Sequence, residues 1–221
     1  MDWMLGSLQD IALGAFTEVH TALYGIIDGM VRSTLLPGDW IAAATTVLVD
    51  HGIDAVRVDL LARELEVTRG SFYWHFKDRE DLLKAVLNAW RDAATEQVIH
   101  RFEGRNADAQ ALIAELISLP FRGRAAERAA RIELAIRAWA RRDALASAAV
   151  DEVDARRIAY IAQCFSALGF AIAEARARAF VLYAYEVAES LLSRQGSAAQ
   201  KRERSALLQR LVLTPLERPA A

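Results

Sequence analysis

The stretch VRVDLLARELEVTRGSFYWHF, residues 56–76, decides the reading of this 221-residue chain. Leu61, Ala62 and Leu65 in its first half, and Phe72 and Phe76 four apart in its second, predict two short helices with apolar inner faces. Glu66 and Val67 turn the chain between them, and Thr68 stands where a helix cap is wanted. The second helix then carries Thr68, Arg69, Ser71, Tyr73, Trp74 and His75 within eight residues, with no acid among them. Core packing accounts for Phe72, Phe76 and Gly70. Singly, Tyr73 could pack, His75 and Thr68 could cap, and Trp74 could be a framework aromatic. Packing does not account for the whole group sharing one face. Such a load suits a helix that enters a DNA major groove, where short polar side chains and Arg meet base edges and phosphate.

The flanks fit this reading. Pro37, Gly38 and Asp39 form a break, with Asp39 placed to cap a helix from Trp40 to about Asp50 whose inner face is Ile41, Ala44, Thr45 and Leu48. Gly52 ends that helix where a left-handed residue is favoured. Asp78 and Asp81 form a variant capping box. A long helix from Arg79 to about Phe102 follows, with Leu82, Val86, Ala89, Trp90, Ala93 and Val98 inward. Further helices are expected at 107–119, 125–142, 144–168, 173–194 and 198–212, punctuated by Pro120, Gly123, Asp143, Gly169 and the run 195–197. The expected organisation is an extension at 1–36, a first domain at 37–103, a second at 104–214 with its boundary at 104–106, and a tail at 215–221. Met4, Leu8, Ile11, Ala15, Val19, Leu23, Ile26 and Met30 in the extension recur at helical steps. An arm without a fixed role, or a true start at Met30, explains that segment equally well.

Composition supports an all-α chain: 54% of residues are hydrophobic, and there are only 11 glycines and 4 prolines. No sustained apolar–polar alternation signals a strand. The net charge is −2, so any DNA binding depends on local charge. Between Gly38 and Lys84 six basic residues face nine acids, leaving that stretch at −3. Sequence-independent affinity should therefore be modest, and strong binding should need two such domains. The single cysteine, Cys164, excludes an internal disulfide and a cysteine zinc cage, and reads as a small buried hydrophobe. The longest uncharged run, 158–173, falls short of the ~18 apolar residues of a membrane span. No secretion signal is visible, so a cytoplasmic protein without a membrane partner is expected. The motifs GxSxG, GxGxxG, HExxH and the P-loop are absent, and His20, His51, His75 and His100 are widely separated. No catalytic residue, metal ligand or cofactor is therefore expected.

Residues Gly52, Ala55, Val56, Leu61, Ala62, Val67, Thr68, Gly70, Phe72, Tyr73, His75, Phe76, Leu82 and Leu83 resemble, in type and spacing, the DNA-binding domain of TetR-family transcriptional repressors. The resemblance covers about Trp40 to Ala89. It implies an N-terminal three-helix helix-turn-helix domain joined by a long helix to an all-helical ligand-binding and dimerisation domain. Two positions depart from the family pattern: Glu66 replaces the usual turn glycine, and Arg57 replaces a capping threonine. The first costs roughly 1 kcal/mol if left-handed; the second exchanges a hydroxyl for a cation that reaches phosphate. Arg69 is the candidate for a bidentate contact with guanine. Thr68 and Ser71 suit phosphate or a base edge, and Trp74 a thymine methyl or sugar. Tyr73, His75 and Lys77 take backbone contacts by the resemblance, and Lys84 is a candidate for another. The resemblance also implies a double-stranded operator, a homodimer built from the last two helices, and a small-molecule effector. Phe121, Trp139, Tyr160, Phe165 and Tyr183, with Phe170 and Phe180, are candidates for the effector pocket, though ordinary core explains them as well. No charged cluster readable in the sequence tells the ligand's polarity. A helical adaptor without specific DNA binding is the alternative function.

Overall fold

The computed structural model describes residues 35–96, 99–100, 108–121 and 123–215. The periodic face expected in the N-terminal extension, the boundary expected at 104–106, Val98 and nearly all of the tail lie outside these residues. From Pro37 onward the chain forms one compact unit. Among the described residues there is no strand. The helices are α1 (Pro37–His51), α2 (Val58–Glu64), α3 (Arg69–Tyr73), α4 (Arg79–Arg91), α5 (Ala109–Ser118), α6 (Gly123–Ala140), α7 (Ala144–Ala167), α8 (Ile172–Leu191) and α9 (Ala198–Leu213). Short 3-10 turns occupy Ile53–Ala55 and Leu119–Phe121, and a π-helical turn occupies Asp92–Glu96.

The first helix starts at Pro37, three residues before the expected start at Trp40. Pro37 tolerates the first helical position because its missing N–H has no partner there anyway, and Asp39 lies in the first turn rather than outside it. Its buried face is Trp40, Ala44, Val47 and Leu48; Ile41 and Thr45 are only partly covered. Gly52 has φ 80°, as its place after the helix requires. Asp78 caps α4, accepting from the Asp81 N–H at 2.9 Å, while Asp81 accepts from the Lys77 N–H at 3.1 Å. The α-helical part of α4 passes at Arg91 into the π-helical turn and residues 99–100 are again helical, while the expected end at Phe102 lies outside the described residues.

Two cores result. Around the helix-turn-helix, Phe72 meets Trp40 edge-on at 5.3 Å and stacks with Phe76 at 5.5 Å, all three buried. Farther along, α5, α7, α8 and α9 enclose Ile113, Ile117, Ile161, Phe165, Leu182 and Val212. Helix α6 packs on both α7 and α1, and α4 reaches α7, so the cores are continuous. Polar clamps join α8 to α9. Arg178 donates to the carbonyls of Leu211, Val212 and Thr214, satisfying the last turn of α9 and complementing its dipole. Glu189 takes a bidentate ion pair from Arg204 at 2.7 and 3.0 Å. Cys164 is buried, which pushes its thiol pKa up, as fits a packing residue rather than a nucleophile. Among the described residues no helix is long and apolar enough to cross a membrane.

Candidate functional site

The turn between α2 and α3 is built by backbone hydrogen bonds. Val67 N–H donates to Ala62 at 2.9 Å and Glu66 N–H to Arg63 at 3.2 Å. These are the two bonds of a Schellman motif, which needs a left-handed residue just past the cap. Glu66 fills that place with φ 55°, the one non-glycine residue with positive φ among those described. The strain expected from the sequence is present, and the motif outweighs it. Leu65 is half-buried, while Leu61 and Ala62 are buried.

Phe72 anchors α3, and the opposite face stands free. Trp74 is 87% exposed and Tyr73 56%. Thr68, Arg69 and Lys77 are exposed, Ser71 and His75 half-buried. Helix α3 ends at Tyr73, so Trp74 and His75 sit in the turn beyond it, where the N–H groups of His75 and Phe76 both reach the Phe72 carbonyl at 3.0 Å. Thr68 occupies the N-cap position, but its side chain makes no capping bond. Gly70 departs from expectation: it is exposed, and a Cβ there would meet only the Thr68 hydroxyl at 3.6 Å. It belongs to the open face, not to the core. A tryptophan ring in water beside uncommitted hydroxyls describes a surface suited to a polar, partly apolar partner.

The cations around this face differ in their commitments. Arg57 is paired with its neighbour Asp59 at 3.2 Å, and Lys84 with Glu80 at 2.7 Å. Both pairs are exposed and solvent-screened, so each contributes little and a phosphate can displace the carboxylate. Arg69 and Lys77 have no acidic partner among the described residues. Arg79 serves the scaffold instead, donating to the carbonyls of Val56 at 2.6 Å and Ile53 at 2.7 Å. It ties the start of α4 to the loop entering α2.

A second site is a cavity of about 580 Å³ between the two cores. Its wall takes Thr45 from α1, Val86, Ala89 and Trp90 from α4, Thr95 from the π-helical turn, and alanines of α6. Ala89 and Ala93, expected inside, face this space rather than packed neighbours. Glu133, Arg157, Tyr160, Tyr183 and Glu186 supply its polar side. Behind it runs a closed network. Arg137 forks onto Asp154 at 2.6 and 3.0 Å and onto Glu133 at 2.9 Å. Arg157 donates to the other Glu133 oxygen at 2.9 Å, to the Tyr183 hydroxyl at 3.2 Å, and to the Ala94 carbonyl at 3.2 Å. Tyr183 in turn donates to Asp154. Burial works against the Arg137 charge, but Asp154 and Glu133 outweigh it and the guanidinium stays protonated. Burial also raises the Tyr183 hydroxyl, which keeps it a donor.

The pocket residues expected from the sequence are only partly brought together. Tyr160 and Tyr183 stand in the wall. Trp139 and Phe165 are buried in packed core, and Phe121 is exposed at the end of the 3-10 turn whose Leu119 and Pro120 line the cavity. Phe170 packs on Phe165 and under Arg178, and Phe180 faces outward, 63% exposed. The charged cluster missed in the sequence comes as three pairs at helical spacing: Glu133 and Arg137, Asp154 and Arg157, Tyr183 and Glu186. Each alone reads as an ordinary solvated pair; only their convergence makes a site.

The model of bacterial regulatory proteins of the tetR family matches residues 41–86. Over 47 residues, 21% of this chain and 22% of the relative, the chain is 45% identical to the HTH-type transcriptional regulator SrpR of Pseudomonas putida. The matched stretch thus spans between about a fifth and about a third of the length of the curated relatives. Across 80% of the chain the fold is similar to a TetR-family regulator from Rhodococcus sp., with TM-score 0.63, 22% identity and 98% of that chain covered. A second TetR-family structure, from Mesorhizobium loti MAFF303099, gives TM-score 0.59 at 22% identity, covering 80% of this chain and 94% of that one. Residues 41–86 thus match the tetR family in sequence, and the described helices as a whole are similar in fold to TetR-family structures.

Proposed function

We propose that this protein is a ligand-responsive repressor that binds a pseudo-palindromic operator as a homodimer in the cytoplasm. The observation that carries DNA reading is the outward face of α3, with Trp74 87% exposed beside Arg69, Thr68 and Ser71. Arg69 reads a guanine, Thr68 and Ser71 meet phosphate or a base edge, and Trp74 meets a thymine methyl or sugar. Tyr73, His75, Lys77, Lys84 and Arg57 position the backbone.

The dimer is supported by α8 and α9. Phe180, Val181, Leu191, Leu207 and Leu211 are large, apolar and about half or more exposed on these two helices, whose inner faces are already packed. A second copy covering them sets two recognition helices about 34 Å apart, one turn of DNA. The effector reading is supported by the cavity, whose wall joins α1 and α4 of the helix-turn-helix region to α6, α7 and α8. A ligand there changes the position of α4, to which Arg79 ties the loop entering α2. The recognition helices then no longer match the operator spacing. On this proposed organisation, residues 37–103 carry DNA binding and residues 104–214 carry the effector and the partner.

The acidic balance around α3, with Arg57 and Lys84 held by Asp59 and Glu80, favours the second reading, a helical adaptor without specific DNA binding. Selection from random duplexes at low salt separates the two. A repressor enriches a pseudo-palindrome, and Arg69→Ala weakens its binding by about 1–3 kcal/mol and relaxes one position. No enrichment favours the adaptor. Sedimentation that finds a monomer at micromolar concentration rules out the interface on α8 and α9.

A further inference from the structure

Glu186 carries a buried carboxyl oxygen without a hydrogen-bond partner. The network behind the cavity balances internally: two carboxylates, Glu133 and Asp154, answer two guanidiniums, Arg137 and Arg157. Glu186 lies one turn beyond Tyr183 on α8, in the cavity wall, and its Oε1 is buried with no hydrogen-bond partner. A buried carboxylate oxygen without a donor is costly, so such a group is kept where something else supplies the donor. Arg157 favours its ionised form, but the Nε and Nη1 of Arg157 donate to Ala94, Glu133 and Tyr183, and the Glu186 Oε1 takes no hydrogen bond. Burial dominates, Glu133 adds repulsion, and the carboxyl is pushed up to about 8. The Thr95 hydroxyl, in the same wall, is likewise buried and unpartnered. Most of the rest of the wall is apolar, with Trp90 and the small side chains of α6 leaving room for a hydrophobic body.

We infer that the cavity takes an apolar amine, a ligand with a hydrophobic body and a protonated nitrogen set against Glu186. This rests on the cavity being the effector site. An ammonium group supplies the donor and the positive charge that the wall lacks, and Thr95 offers a second acceptor. A carboxylic acid would set another anion beside Glu186 and Glu133, and the Arg157 charge is already paired with Glu133. A neutral alcohol would offer Glu186 a hydrogen bond without the charge that makes it strong.

The experiment uses the full-length protein with decylamine, decanol and decanoate, each below its micelle-forming concentration. Binding is followed by calorimetry and operator release by fluorescence anisotropy. Decylamine should bind about tenfold or more tightly than decanol, with decanoate weakest, as a charge-assisted hydrogen bond outweighs a neutral one. Glu186→Gln should abolish that preference. Glu186→Leu, which removes the unpaired carboxylate, should melt higher than the wild type in the absence of ligand. Equal binding of amine and alcohol, a preference that survives Glu186→Gln, or a preference for decanoate each overturns the amine while leaving the cavity as effector site. Failure of all three to bind or to release operator overturns the cavity reading as well.

Discussion

The helix-turn-helix and the cavity represent opposite ways of making a site. Around α3 a few buried rings, Trp40, Phe72 and Phe76, hold a short helix so that its neighbours in sequence all face water. The functional surface is contiguous along the chain. Around the cavity, the polar groups come from α6, α7 and α8, separated by 17 to 46 residues, and meet inside the fold. The first site depends on one hydrophobic anchor and the second on a balance of charges. Perturbing each should therefore break different properties.

The largest effect is expected at the anchor. Phe72→Ala removes a fully buried ring touching Trp40, Tyr73 and Phe76, and should cost about 3–5 kcal/mol in urea unfolding. Asp154→Ala deprives Arg137 of its bidentate partner and Tyr183 of its acceptor. Because Asp154 and Arg137 are both partly exposed, about 2 kcal/mol is expected, below the full cost of breaking a buried pair. Operator affinity should be retained after correction for folded fraction, in contrast to changes on α3.

A pH-dependent effect belongs to Glu186. Its carboxyl sits at about 8 in the fold against 4.5 when unfolded, so between these values the folded state holds a proton that the unfolded state has lost. Its contribution to stability is complete below about 4.5 and is lost as pH rises through about 8. Melting temperatures from pH 5 to 9 should fall more in the wild type than in Glu186→Gln, and parallel curves would remove the case for a buried carboxyl. The smallest effect is at the turn: Glu66→Gly relieves the left-handed strain at φ 55° and should raise stability by about 1 kcal/mol. Unchanged operator affinity in that variant would show the residue to be structural.

The legibility of the two sites differs for the same reason. Thr68, Arg69, Ser71, Tyr73 and Trp74 lie within one stretch, and helical periodicity alone separates them from Phe72 and Phe76. The capping pair Asp78 and Asp81 and the left-handed Glu66 were equally local and equally readable. Gly70 was misread because a glycine's role depends on what lies opposite it, and nothing does. Trp139 and Phe165 were expected at the pocket because aromatic residues suit cavities. Whether a ring faces a void or another helix depends on partners distant in sequence, and both rings are packed.

The sequence by itself determined the helices, the turn and the loaded face of α3, since these follow from spacing, capping and backbone geometry within a few residues. Tertiary structure alone decided that Glu133, Asp154, Arg137, Arg157 and Tyr183 form one closed network and that Glu186 is left over. Charge balance inside a protein is a property of the groups that share a low-dielectric volume, and the packing of α6, α7 and α8 determines which groups those are.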